Sequence, residues 1–109
     1  MLEELAYKIQ SDFMKALSHP VRLQIIELLR KGEQNVGSIV KALSIQQSSL
    51  SRHLTILKES GILAARQQGL LIYYDIEDHD IFKVLKPARV LLCKRLKKTE
   101  GALRSLEKN

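Results

Sequence analysis

Gln47-Ser48-Ser49-Leu50-Ser51-Arg52-His53-Leu54, continued by Leu57-Lys58-Glu59-Ser60-Gly61-Ile62-Leu63, reads as a helix with two chemically different sides. Leu50, Leu54 and Leu57 recur at helical spacing and bury one side. Gln47, Ser48, Ser51 and Arg52 crowd the first turns of the other side with hydrogen-bonding groups. A DNA major groove accepts such a helix by its N-terminal end: Gln and Ser reach base edges, and Arg reads guanine or grips phosphate. A solvated surface face has the same composition, so the neighbouring elements decide between the two. Gly61 supplies a helix stop, and Ile62-Leu63 begins a strand.

Upstream, Val36 to Leu43 forms a short helix with Val36, Ile39, Val40 and Leu43 on one face. Ser44 to Gln47 separates the two helices, about the length of a helix-turn-helix connection. Downstream, Ile62-Leu63-Ala64-Ala65-Arg66 and Leu70-Leu71-Ile72-Tyr73-Tyr74-Asp75-Ile76 flank Gln67-Gln68-Gly69, two β-prone runs around a glycine-containing loop. Helix, turn, helix, hairpin is a winged helix-turn-helix, a mainly α fold with a β-hairpin wing. The expected contacts to double-stranded DNA are Gln47, Ser48, Ser49, Ser51, Arg52 and His53 on the helix, with Arg66 and Gln68 on the wing. His53 is open between a phosphate contact and core packing.

The ends of the chain bear on assembly. Leu2, Leu5, Ile9, Phe13, Ala16 and Leu17 form an amphipathic N-terminal helix, broken at Ser18-His19-Pro20. Pro20 suits the first position of a second helix, where its missing N–H costs nothing, and His19 can cap it. That helix runs to about Arg30, buries Val21, Ile25, Ile26, Leu28 and Leu29, and stops at Lys31-Gly32. Beyond the hairpin, Ile81, Leu85, Ala88, Leu92, Thr99, Leu103 and Leu106 mark a long C-terminal helix that Pro87 should kink or restart. A winged-helix core needs about the middle 60 residues. The flanking helices, at about 2–17 and 80–106, are expected to pair two copies into a homodimer, all within a single domain of residues 1–109.

The chain of 109 residues is 45% apolar and carries a net charge of +6, consistent with a polyanionic partner. The charge is uneven: residues 1–44 sum to +1, residues 45–77 to zero and residues 78–109 to +5. Lys86, Arg89, Lys94, Arg95, Lys97 and Lys98 either meet DNA directly or answer Glu3, Glu4 and Asp12 of the N-terminal helix. No long apolar run or signal peptide is present, so no membrane partner and a cytoplasmic location are expected. No nucleophile–base pair, phosphate loop or complete metal-ligand set appears, which argues against an enzyme and against a cofactor. The other reading is a winged-helix interaction module without specific DNA binding.

Leu17-Ser18-His19-Pro20-Val21-Arg22-Leu23-Gln24-Ile25-Ile26, Gln47 to Leu54, Leu57 to Leu63 and Gly69 to Tyr74, in that order, closely resemble the ArsR (ArsR/SmtB) repressors. The resemblance covers roughly residues 5–100. It implies a homodimeric winged-helix repressor that holds a promoter until an inducer releases it. It also implies that Gln47, Ser48, Ser51 and Arg52 face the major groove, with the wing tip near the flanking minor groove or backbone. Gln46 departs from the family, which usually places a capping Ser there.

The family's sensing sites are where this chain differs most. Glu33-Gln34-Asn35-Val36-Gly37-Ser38 stands where many members carry a thiol pair, and it has none. Asp78, Asp80, Leu91 and Lys94 stand where others hold a metal between C-terminal helices. Leu91 cannot ligate and the Lys94 ammonium repels a cation, so no metal is expected. Asp75, Glu77, Asp78, His79 and Asp80 are either a loose hard-ion cluster or an acidic loop before the next helix. Cys93, the single cysteine, is either a redox sensor on the C-terminal helix, beside Lys94 and Arg95, or an inert apolar residue.

Overall fold

The computed structural model describes residues 1–108 of the chain. Helix α1, Leu2–Leu17, starts with Glu3 and Glu4 and ends with Lys15, each charge complementing the helix dipole. The backbone then extends at His19, whose Nδ1 accepts the Val21 N–H at 3.1 Å and caps helix α2, Pro20–Leu28. Pro20 occupies the first turn, as its missing donor favours. A single 3-10 turn, Leu29–Lys31, leads to Gly32. Ile25, Ile26 and Leu29 are fully buried, while Val21 and Leu28 are only half-buried.

Between these elements and the helix-turn-helix lies a strand that no periodicity in the chain announces. Strand β1, Gln34–Asn35, pairs antiparallel with the hairpin, Gln34 opposite Tyr74 and Asn35 opposite Tyr73. Asn35 also caps helix α3, Val36–Leu43, its Oδ1 accepting the Ser38 N–H at 2.9 Å. Ser44 closes α3 in the left-handed region, with φ 51°. Helix α4, Gln47–Glu59, already contains Gln47, so the connection is shorter by that residue than expected. Its last turn closes through Gly61, at φ 77°, with the Gly61 N–H bonded to the Lys58 carbonyl and the Ile62 N–H to that of Leu57. This paired arrangement satisfies two carbonyls that a helix end leaves open, and it turns the chain into the wing.

Strands β2, Leu63–Gln68, and β3, Leu71–Ile76, pair antiparallel in register from Leu63 opposite Ile76 to Gln68 opposite Leu71. Gln67 and Gln68 therefore belong to the strand, and Gly69-Leu70 alone makes the turn, a correction to the longer loop expected. Gly69 has φ 63° and Leu70 a negative φ, the sign pattern of a hairpin turn whose twist matches the strands. The sheet order is β1-β3-β2. Leu50, Leu54 and Leu57 of α4 join Ile39 of α3 and Ile25, Ile26 and Leu29 as the most deeply buried side chains.

The chain divides into two compact units, Met1–Asp78 and a second beginning at His79. The second consists of a 3-10 turn, His79–Ile81, and helix α5, Phe82–Lys108. Pro87 lies inside α5 without ending it, so of the expected kink or restart the restart does not occur. Its ring removes one backbone donor, and the turns on both sides keep theirs. No helix among the described residues is long and apolar enough to cross a membrane.

Candidate nucleic-acid interface

Helix α4 sorts its residues by side. Leu50, Leu54 and Leu57 are buried, while Gln47, Ser48, Ser49, Ser51 and Arg52 are exposed. Gln46 stands at the N-cap and its side chain makes no capping bond. The first intrahelical bond runs from the Leu50 N–H to the Gln46 carbonyl at 3.0 Å. The amides of Gln47, Ser48 and Ser49 therefore face outward at the positive end of the helix dipole, where an anion is favoured. Thr55, also exposed, extends the same polar side one turn further, its hydroxyl bonded to the Ser51 carbonyl at 2.9 Å. Thr55 is not among the expected contacts, which end at His53 on this helix, although it follows Ser48 and Ser51 at helical spacing.

On the wing, the two expected residues are brought together. The Arg66 Nη1 donates to Gln68 Oε1 at 2.7 Å. The same guanidinium is gripped by both carboxylate oxygens of Glu33, its Nε donating at 2.9 Å and its Nη2 to the second oxygen, and it lies 4.5 Å over the Tyr73 ring. Register explains the meeting, because Tyr73 stands opposite both Arg66 and Asn35. The hydrogen bond from Arg66 foremost, and its charge, hold the Glu33 carboxyl below its ordinary value. Glu33 was not among the expected site residues, and only the fold brings it near Arg66.

His53 is turned the other way. It is buried, and its Nδ1 accepts the Arg22 Nε–H at 3.1 Å. Its ring lies 4.3 Å from that of His19. A phosphate contact by His53 does not fit this placement, because α4 turns it inward beside Leu50, Leu54 and Leu57. Burial first, then the positive charges of His19, Arg22 and Arg52, lower its pKa from the ordinary 6.5.

Cys93 is exposed on α5, so the inert buried reading does not hold for the chain by itself. Asp80 pairs with Lys83 at 3.1 Å, and Asp75 accepts the Ile76 N–H at 2.8 Å. Among the described residues, no group of His, Cys, Asp and Glu is arranged to hold a metal ion.

The family model of bacterial regulatory proteins of the arsR family matches residues 19–65, from the cap of α2 into β2. The chain is 35% identical over 107 residues to the HTH-type transcriptional regulator Rv0081 of Mycobacterium tuberculosis, covering 97% of this chain and 94% of that one. The crystal structure of Rv0081 matches with a TM-score of 0.77 over 85% of this chain and 94% of its own. The biofilm growth-associated repressor of Xylella fastidiosa is 32% identical over 76% of this chain and 73% of that protein. The solution structure of the homodimeric winged helix-turn-helix DNA-binding domain of Mb0332 from Mycobacterium bovis matches with a TM-score of 0.76 at 29% identity. That match spans 88% of this chain and 89% of the other.

Proposed function

This chain belongs to the ArsR family of bacterial regulatory proteins, and we propose that it represses transcription by laying two copies of α4 into a near-palindromic operator. It is a DNA-binding transcriptional repressor that works as a homodimer. The observation that carries the reading is the two-sidedness of α4, with its leucines buried and its first-turn polar side chains and amides open. Gln47, Ser48 and Ser51 meet base edges, Arg52 reads guanine or phosphate, and Ser49 and the open amides hold the backbone. Arg66 and Gln68 lie on the wing flanking the groove. His53 has no part in the contact surface.

Repression needs no catalysis: an occupied operator excludes the polymerase, and a motion that spreads the two α4 helices lowers affinity. Acting on the chromosome places the protein in the cytoplasm. The dimer contacts fall to α1 and α5. Leu2, Leu5 and Ile9 of α1 and Leu91, Leu92 and Leu96 of α5 are apolar and exposed in the single chain. These side chains gain most from a second copy, since apolar area removed from water stabilises by about 25 cal/mol per Å².

Selection of tight-binding duplexes from a random library tests the reading. The expected product is an inverted repeat with half-sites about one helical turn, roughly 10 base pairs, apart. Its affinity should fall steeply with salt, log K against log [salt] sloping about −0.9 per phosphate contact. Recovery of no consensus, together with a flat salt dependence, would leave the fold without this function.

A further inference from the structure

Behind the DNA-facing side of α4 lies a polar contact that ties this helix to two others. His53 is the one buried polar or charged side chain among the described residues. Arg22, on α2, donates its Nε–H to His53 Nδ1 at 3.1 Å. The Nη1 of the same guanidinium donates to the Ala16 carbonyl at 3.3 Å and the Lys15 carbonyl at 3.5 Å, at the C-terminal end of α1. The His19 ring lies tilted against that of His53, centroids 4.3 Å apart, with its own Nδ1 taken by the Val21 N–H. One guanidinium thus links the C-terminal end of α1 to the middle of α4 from a seat on α2.

We propose that Arg22 is a positioning residue for operator binding: through a neutral His53 it fixes how α4 sits against the corner of α1 and α2. An arginine has only donors, so the contact needs an acceptor at Nδ1. Only an uncharged imidazole with its proton on Nε2 supplies one. Protonation turns Nδ1 into a donor and sets a second cation against Arg22. The other groups around His53 are His19 at the cap of α2 and Arg52 on α4 itself, with the Lys15 and Ala16 carbonyls taken up by Arg22. The imidazolium therefore meets positive neighbours on both helices. With the pKa lowered from 6.5, the seat is intact at neutral pH and is lost as pH falls through the lowered value. Added positive charge alone would strengthen DNA binding. A complex that weakens on acidification therefore reports the lost seat rather than the charge.

The inference rests on α4 reading DNA, so its test keeps the two apart. Anisotropy titrations on the selected duplex would run from pH 8 to pH 5 with the wild type, His53→Gln, Arg22→Lys and Arg22→Ala. Two-dimensional NMR of the wild-type imidazoles would run alongside. The wild type is expected to lose roughly tenfold in operator affinity as the NMR shows His53 becoming protonated, while His53→Gln stays nearly level. At pH 8, Arg22→Ala should bind worse than Arg22→Lys, and the His53 ring should carry its proton on Nε2. Wild-type affinity that is flat or rises while the NMR shows His53 taking up its second proton would overturn the proposal. So would a His53→Gln profile falling in parallel, or a proton found on Nδ1. The wild-type profile and the NMR do not depend on the variants folding. Absence of specific binding at pH 8 would count against the function, and the tautomer would still decide the Arg22 contact.

Discussion

Gln46 leaves the start of α4 uncapped, and the amides of Gln47, Ser48 and Ser49 stay open. An open helix start lowers stability and offers phosphate a set of donors. Gln46→Ser should therefore stabilise the fold by about 0.5–1 kcal/mol, read as a higher urea midpoint at unchanged m. An unchanged midpoint would mean that the chain already satisfies those amides. The Glu33–Arg66 pair makes the opposite trade on the wing, since a carboxylate occupies the guanidinium that phosphate would take. Glu33→Gln should free Arg66, raise DNA affinity at low salt and steepen the salt dependence by about 0.9. A slope equal to that of the wild type would show that Arg66 meets no phosphate. Acidification should act in the same direction. The Glu33 carboxyl is held below its ordinary value, so the pair persists until pH falls through that lowered value.

Helix α4 is positioned by its buried side. Leu54 is 1% exposed and shares that side with Leu50 and Leu57, the helix packing on α2, α3 and β2. Leu54→Ala should cost about 2–5 kcal/mol in denaturant unfolding, whereas the exposed Ser48→Ala should change stability little. Equal losses in both would mean that the two sides of α4 are misassigned. The bounds of α1, α3 and the wing strands were close to legible because hydrophobic spacing, Pro20 and Gly61 are local signals. Strand β1 was not, since two residues carry no period and exist as a strand only through Tyr73 and Tyr74. The turn at Gly69-Leu70 is set by cross-strand register rather than by composition. Within the site, exposure along α4 could be read from helical spacing. The contacts Arg22–His53 and Glu33–Arg66 join residues 31 and 33 positions apart, and the fold alone brings them together.

A dimer reads an operator with two copies of α4 held at a fixed separation. Leu5 and Leu92 are exposed in the single chain, on α1 and α5. A charge at either position should weaken association if these helices form the interface. Sedimentation of Leu5→Glu and Leu92→Glu should show monomer at concentrations where the wild type is dimeric, with operator affinity falling in step. Dimers persisting in both variants would place the interface elsewhere. The reading role of α4 is tested by comparing wild type, Gln47→Ala and Arg52→Ala on the selected operator and on a scrambled duplex. Each variant should lose roughly 1–3 kcal/mol on the operator, and Gln47→Ala should bind the scrambled duplex as the wild type does. Wild-type affinity for the operator in both variants would contradict the assignment of α4 as the helix that reads DNA.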